Sequence, residues 1–225
     1  MPVDIVELVV LADSLVEKAG EKLADVSDSN GIAGVMRWLT DKVEQELNGI
    51  SSDDQGFRLA CGPGCSSCCV VNVSVLVPEA AAIAMYLRQE VPGGLPAHLR
   101  EKIESQAENV RWVEDQERPL LRLPCAFLDE RGWCTIHPVR PLMCRSVSSA
   151  DSVACGTISD RGETLVMMNL PQKILCSMVF TGFGRLLQDL GLDCRSLELN
   201  RMVSNLLDRP SLVDDFLARK RLEFR

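Results

Sequence analysis

Apolar side chains recur three and four positions apart along most of the chain, the spacing that gathers them on one face of a helix. From Val3 to about Asp25 they fall at Ile5, Leu8, Val9, Ala12, Leu15, Val16, Ala19 and Leu23 with acids and lysines between, which predicts a first helix. A second is expected after Asn30, with Ile32, Val35, Met36, Leu39, Val43 and Leu47 on one face and Asn48-Gly49 as its stop. Ser51 to Gly56 is polar and reads as a linker, and Val70 to Val77 is rich in strand-forming residues. Pro78 suits the first turn of a further helix, Glu79 lies near its positive end, Ala80 to Tyr86 continue it, and Pro92-Gly93-Gly94 stop it. Pro96 to about Glu117 is largely polar, with Leu99, Ile103, Ala107, Val110 and Val113 as its buried stripe. Three more helical patterns cover 171–190, 196–207 and 211–222.

The periodicity fails between Pro124 and Gly156, so something other than a wide apolar core must fix that segment. Its first part suggests a β-hairpin. A four-residue turn over Asp129 to Gly132 sets Leu128 opposite Trp133 and Phe127 opposite Cys134, leaving Cys125 a same-face diagonal neighbour of Cys134. The expected fold is therefore mainly α, a helical shell around a cysteine-rich, loop-rich metal-binding core with a short β-hairpin. Its expected divisions are an N-terminal helical segment over 1–56, a cysteine-cluster domain over 57–160 and a C-terminal helical segment over 161–225.

Charge narrows the function. A net charge of -8 and a pI near 4.9, with no basic run, argue against nucleic acid or an anionic membrane as partner. The opening residues place acids inside the first apolar stretch without a basic region before it, which predicts a cytoplasmic protein. The longest uncharged stretch, Leu59 to Pro78, holds Gly62, Pro63, Gly64, Asn72 and four cysteines, and so reads as a cysteine loop rather than a membrane helix.

The chain has ten cysteines, and in a reducing compartment crowded thiols point to metal. The first group reads Cys61-Gly-Pro-Gly-Cys65-Ser-Ser-Cys68-Cys69, in which glycine and proline let the backbone curl tightly enough for thiolates to converge. Thiolate ligands select zinc, cuprous copper or iron-sulfur clusters. The second runs from Cys125 through Cys134, Thr135, Ile136 and His137 to Arg140-Pro141 and Cys144-Arg145. His137 is a candidate to complete a zinc site, against the more frequent role of hydrogen-bonding a carbonyl or sulfur. Arg140 and Arg145 flank Cys144, where their charge would offset several thiolates. Cys176, set among Ile174, Leu175, Met178, Val179 and Phe180, reads as a small buried hydrophobe, and Cys194 as an ordinary loop thiol.

At these residues the chain resembles the YkgJ family of zinc- or iron-chelating cysteine-cluster domains. A Cys-x3-Cys-x2-Cys-Cys group at Cys61 to Cys69 precedes Cys125 to Leu128, Cys134 to His137, Arg140-Pro141 and Cys144-Arg145, in that order. The likeness covers roughly Cys61 to Cys155 and includes the Glu79-Ala80 helix start. It implies that Cys155 joins Cys61, Cys65, Cys68, Cys69, Cys125, Cys134 and Cys144, giving two four-ligand sites or one cluster with spare cysteines. The family includes a flagellin lysine N-methylase, so the resemblance also implies methyl transfer to a protein substrate as an alternative.

Three functions therefore compete: a protein holding an iron-sulfur cluster, or zinc in its place; a cluster-dependent enzyme; and a zinc-stabilised interaction module. The spacing Cys61-x3-Cys65-x2-Cys68 is that of radical S-adenosylmethionine enzymes, but the helical pattern lacks their alternating strands and helices. Neither Gly31-Ile-Ala-Gly34 nor Gly182-Phe-Gly184 follows a convincing strand, which argues against an ordinary nucleotide fold. An all-cysteine set with flanking arginines favours the iron-sulfur cluster.

Overall fold

A computed structural model describes residues 4–50, 59–62, 64–89, 91–161 and 168–225. The expected Ser51–Gly56 linker, and Pro63 within the first cysteine group, lie outside the described residues.

Helix α1 (Ile5–Ala24) begins where the Asp4 carboxylate accepts the N–H of Val6 at 2.9 Å, and it buries Leu8, Ala12, Leu15, Ala19 and Leu23. Helix α2 (Ser29–Ile50) starts two residues before its expected position, with Asp28 accepting the N–H of Gly31 at 2.8 Å. Helix α3 (Val77–Gln89) is the centre of the fold. Val77 to Ala84 and Leu87 are all buried, because α2, α8 (Leu199–Asp208) and α9 (Leu212–Leu217) pack around it.

Helix α4 (Ala97–Asn109) lies on α8, while α7 (Leu170–Asp189), capped by Asn169, lies along α1. Two glycines let α1 and α7 approach closely. A Cβ on Gly20 would meet Leu186 at 3.0 Å, and one on Gly182 would meet Val16 at 3.0 Å. One contiguous apolar core takes residues from before, within and after the cysteine region, so the helices on either side form a common wall around it. No helix among the described residues is long and apolar enough to cross a membrane.

Several expectations need correction. The strand-like run from Val70 to Val77 pairs only through β1 (Ser74–Val75), joined antiparallel to β2 (Leu197–Glu198) from the far end of the chain. Helix α4 stops near Val110, short of Glu117; beyond it Asn72 donates to the Val113 carbonyl and the Asp115 carboxylate, and a 3₁₀ turn spans Arg118–Leu121. The final helix, α9, is shorter than its pattern.

The hairpin narrows to a single antiparallel bridge between Leu128 and Cys134, one residue out of the expected register. The Asp129 side chain accepts the N–H groups of Arg131 and Trp133, and Gly132 takes a φ of 76°, so Trp133 is drawn into the turn. The loop-rich segment also contains two helices, α5 (Leu142–Arg145) and α6 (Ser152–Arg161).

Candidate metal centre

The two cysteine groups, far apart in sequence, are closed against each other by backbone. The N–H of Cys125 donates to the Cys69 carbonyl at 2.7 Å, and the N–H of Ala60 donates to the Ser149 carbonyl at 2.8 Å. Within the first group, tight turns are closed by Cys65 donating to the Gly62 carbonyl at 3.0 Å and Cys69 to the Ser66 carbonyl at 2.9 Å. That loop rests on the Asp129–Trp133 turn, where a Cβ on Gly132 would meet the Gly64 carbonyl oxygen at 3.3 Å.

The second group is carried by different elements. Cys125 and Cys134 stand on either side of the bridged turn, Cys144 on the one-turn helix α5, and Cys155 in the first turns of α6. Helix α6 starts where the Asp151 carboxylate accepts the N–H groups of Val153 and Ala154, each at 2.9 Å. Just before it, the Ser149 N–H donates to the Cys61 sulfur at 3.5 Å. An N–H aimed at sulfur is a contact that stabilises thiolate over thiol.

Electrostatic contacts link the eight candidate thiols. Cys61 feels Cys65, Cys68 and Cys155, while Cys69, Cys125, Cys134 and Cys144 act on one another, with Cys68 between the two sets. Cys69 donates its thiol proton to Cys68, which that bond and the Arg140 charge bring down to about 7. Donating that proton holds the Cys69 thiol high, and its burial adds to the effect. Burial pushes Cys125 up to about 12, and burial likewise raises Cys134, Cys144 and Cys61. Packed thiols of this kind ionise together only when a cation or cationic cluster balances them.

As placed, no three Cys, His, Asp or Glu side chains among the described residues stand close enough to hold one metal ion. The sulfurs are neighbours, partly joined by S–H donation between Cys69 and Cys68. The donor set still fits a thiophilic group: it is all sulfur, its backbone frame is fixed, and the buried Nε of Arg140 has no protein partner among the described residues. The Arg140 charge acts on Cys68, Cys134 and Cys144.

Arg145 is used otherwise. It is buried, and its guanidinium donates to Glu44 of α2, to the Arg140 carbonyl at 3.0 Å and to the Pro138 carbonyl at 3.4 Å. Its donors go to oxygen, and its charge reaches Cys134. His137 opens an exposed 3₁₀ turn, its N–H on the Cys134 carbonyl at 3.2 Å, and partial burial and then Arg140 and Arg145 lower the basicity of its ring. Cys176 is fully buried in the apolar core, as its surroundings predict, and Cys194 lies in the loop between α7 and β2.

Sequence reading missed Glu79 as part of the frame. Its buried carboxylate accepts the N–H of Leu76 at the head of α3 and that of Leu142 at the head of α5, both at 2.9 Å. A lone acid inside the apolar run Leu76-Val-Pro-Glu-Ala-Ala-Ala-Ile was the signal available. The buried Arg118 beside Cys125 was also missed, since nothing distinguishes it from the charged residues before it.

Residues 60–164 match the CxxCxxCC family, described as "Putative zinc- or iron-chelating domain". No curated protein and no solved structure gives a significant match to the chain.

Proposed function

From the match of residues 60–164 to the CxxCxxCC cysteine-cluster family, we propose that this chain is an iron-sulfur protein whose cluster is held by thiolates from both cysteine groups. Cys69, Cys125, Cys134 and Cys144 are the ligands of one site; Cys61, Cys65, Cys68 and Cys155 are those of a second. The observation that carries the reading is the 2.7 Å bond from the Cys125 N–H to the Cys69 carbonyl, which locks the two groups side by side. Around that bond lie thiols that resist ionisation, with the Nε of Arg140 unspent among the described residues.

When bound, such a cluster supplies one-electron chemistry or a structural lock. The chain's own residues do the rest. The Ser149 N–H supports Cys61, Arg140 offsets charge at Cys68, Cys134 and Cys144, and Glu79 with Arg145 fixes the helix that carries Cys144. A second reading, zinc in the same thiolate sites, is favoured by the closed, all-protein donor sets and would make the chain a zinc-stabilised interaction module.

Purification without oxygen, followed by iron, sulfide and zinc analysis and an absorption spectrum, tests both. Iron with equivalent sulfide and broad absorption near 400 nm supports the cluster. Colourless protein with stoichiometric zinc supports the second reading, and protein with neither metal overturns both.

A further inference from the structure

Arg118 is among the most deeply buried side chains of the protein, 1% exposed, yet its Nε and Nη1 have no hydrogen-bond partner among the described residues. Burying a guanidinium with idle donors is costly, because the water it loses is not replaced. The nearest carboxylate does not replace it. Glu198 acts on Arg118 electrostatically but is committed to capping α8, accepting from the Arg201 N–H at 3.0 Å and from the Asn200 side-chain amide at 2.6 Å.

What else surrounds Arg118 is the cysteine region. Its 3₁₀ turn packs against α6, which carries Cys155, and its charge acts on Cys125. A structural arginine usually spends its donors on carbonyls, as Arg145 does here. Arg118 leaves two unspent, in a buried position whose charge acts on Cys125.

We propose that Arg118 is the buried counter-charge of the cysteine centre, a positioning residue that turns its two unspent N–H groups to the thiolate side of Cys125 once metal is held there. The inference rests on the reading of Cys125 as a ligand. Arg118 stands outside the Cys134–Arg145 stretch that contains the other arginines of the site, on a 3₁₀ turn that packs against α6.

The test uses full-length protein purified without oxygen and titrated with a metal chelator, comparing wild type with Arg118→Met and Arg118→Lys. Removing an outer-shell partner of a metal ligand costs roughly 10- to 100-fold in metal affinity, so R118M should release its metal at correspondingly lower chelator concentration. R118K keeps the charge and should recover most of the loss, with an absorption spectrum closer to wild type than that of R118M. A merely structural arginine would instead lower thermal stability in both variants without changing the chelator midpoint of the folded fraction.

Folded R118M that holds metal as tightly as wild type overturns the proposal while leaving the cluster reading intact. Wild-type protein that carries neither iron nor zinc removes both. If R118M does not fold, Arg118→Gln, which retains N–H donors without the charge, is read against R118K in the same way: equal chelator midpoints overturn the counter-charge, and a lower midpoint for R118Q supports it.

Discussion

Glu79 and Leu142 are 63 positions apart, and the Glu79 carboxylate accepts the Leu142 N–H at 2.9 Å in a fully enclosed site. Its other oxygen accepts the N–H of Leu76, so one side chain caps the start of both α3 and α5. Because α5 carries Cys144, the central helix of the core and a candidate ligand share a fixed point.

Glu79→Gln should therefore destabilise the protein. The amide offers one acceptor oxygen where two are needed, and its NH2 group faces a backbone donor. Leaving one buried N–H unsatisfied costs about 1–3 kcal/mol. Chemical denaturation measures the loss, and metal content should fall with it. An E79Q variant as stable as wild type would mean that the two bonds contribute nothing net.

The same residue sets a pH dependence. Burial, only partly offset by the two N–H bonds and Arg145, pushes the Glu79 carboxyl up to about 7 from its ordinary 4.5. Between those values the folded chain keeps a proton that the unfolded chain has released. This contribution to stability is complete below pH 4.5 and is lost as pH rises through about 7. Each tenfold difference in proton affinity between the folded and unfolded chain is worth about 1.4 kcal/mol, so the contribution amounts to roughly 3 kcal/mol at most. Glutamine does not titrate, so the stability gap between wild type and E79Q should narrow from about pH 5 to about pH 8. Unfolding midpoints at both pH values give the answer, and a gap that widens has the wrong sign.

Glu79 also marks how far the sequence could be read. The long helices were legible because a period of 3.6 repeats over several turns in α1, α2 and α7. So was the family's cysteine pattern, whose residues stand in a specific order within the matched segment 60–164. Short elements were not. The turn at Asp129 gained a residue because a side-chain carboxylate and a left-handed glycine outweighed simple hairpin register, and α6 was lost among Ser, Ala and Gly with little apolar pattern. Charged residues that act only after distant segments meet, such as Glu44 and Arg118, carry no local signature, whereas Glu79 stood out as a lone acid in an apolar run and Arg145 as a neighbour of Cys144.

The α1–α7 contact offers a test of packing. Alanine at position 182 should favour a helix by about 1 kcal/mol over glycine. Here its Cβ would lie 3.0 Å from a methyl of Val16, and a β-branched side chain in a helix has little freedom to turn aside. Overpacking typically costs about 1–3 kcal/mol, so Gly182→Ala should be net destabilising by up to about 2 kcal/mol. Val16→Ala in the same chain should recover part of that loss. A double-mutant cycle in thermal unfolding reads the coupling, which should be absent if the helices simply shift apart.

Cysteine replacements should separate into two classes. Cys176 is a core residue with no place in the thiol network, and its thiol is pushed up to about 12 by burial. Cys176→Ala should leave bound metal unchanged and cost about 1 kcal/mol for the lost packing. Cys144→Ser or Cys125→Ser should instead lose metal, since the harder oxygen is a poor substitute for thiolate. Elemental analysis of purified variants distinguishes the classes, and metal loss in C176A would place that thiol in the centre after all.

Gly132 packs the second cysteine loop closely against the first. Its φ of 76° is one that side chains with a Cβ adopt at a cost of about 1–2 kcal/mol, and the added methyl of Gly132→Ala would press on the Gly64 carbonyl oxygen at 3.3 Å. The backbone cannot rotate aside like a side chain, because Gly132 N–H is held by the Asp129 carbonyl at 3.1 Å and the turn is closed by Trp133. Strain at this contact separates Cys61 and Cys65 from Cys134 without touching a sulfur. G132A should accordingly fold with its long helices intact by circular dichroism, but release metal faster to a competing chelator than wild type does. Unchanged release would mean that the two loops are held together elsewhere, chiefly through the Cys125–Cys69 backbone bond, with the Gly64–Gly132 contact contributing little.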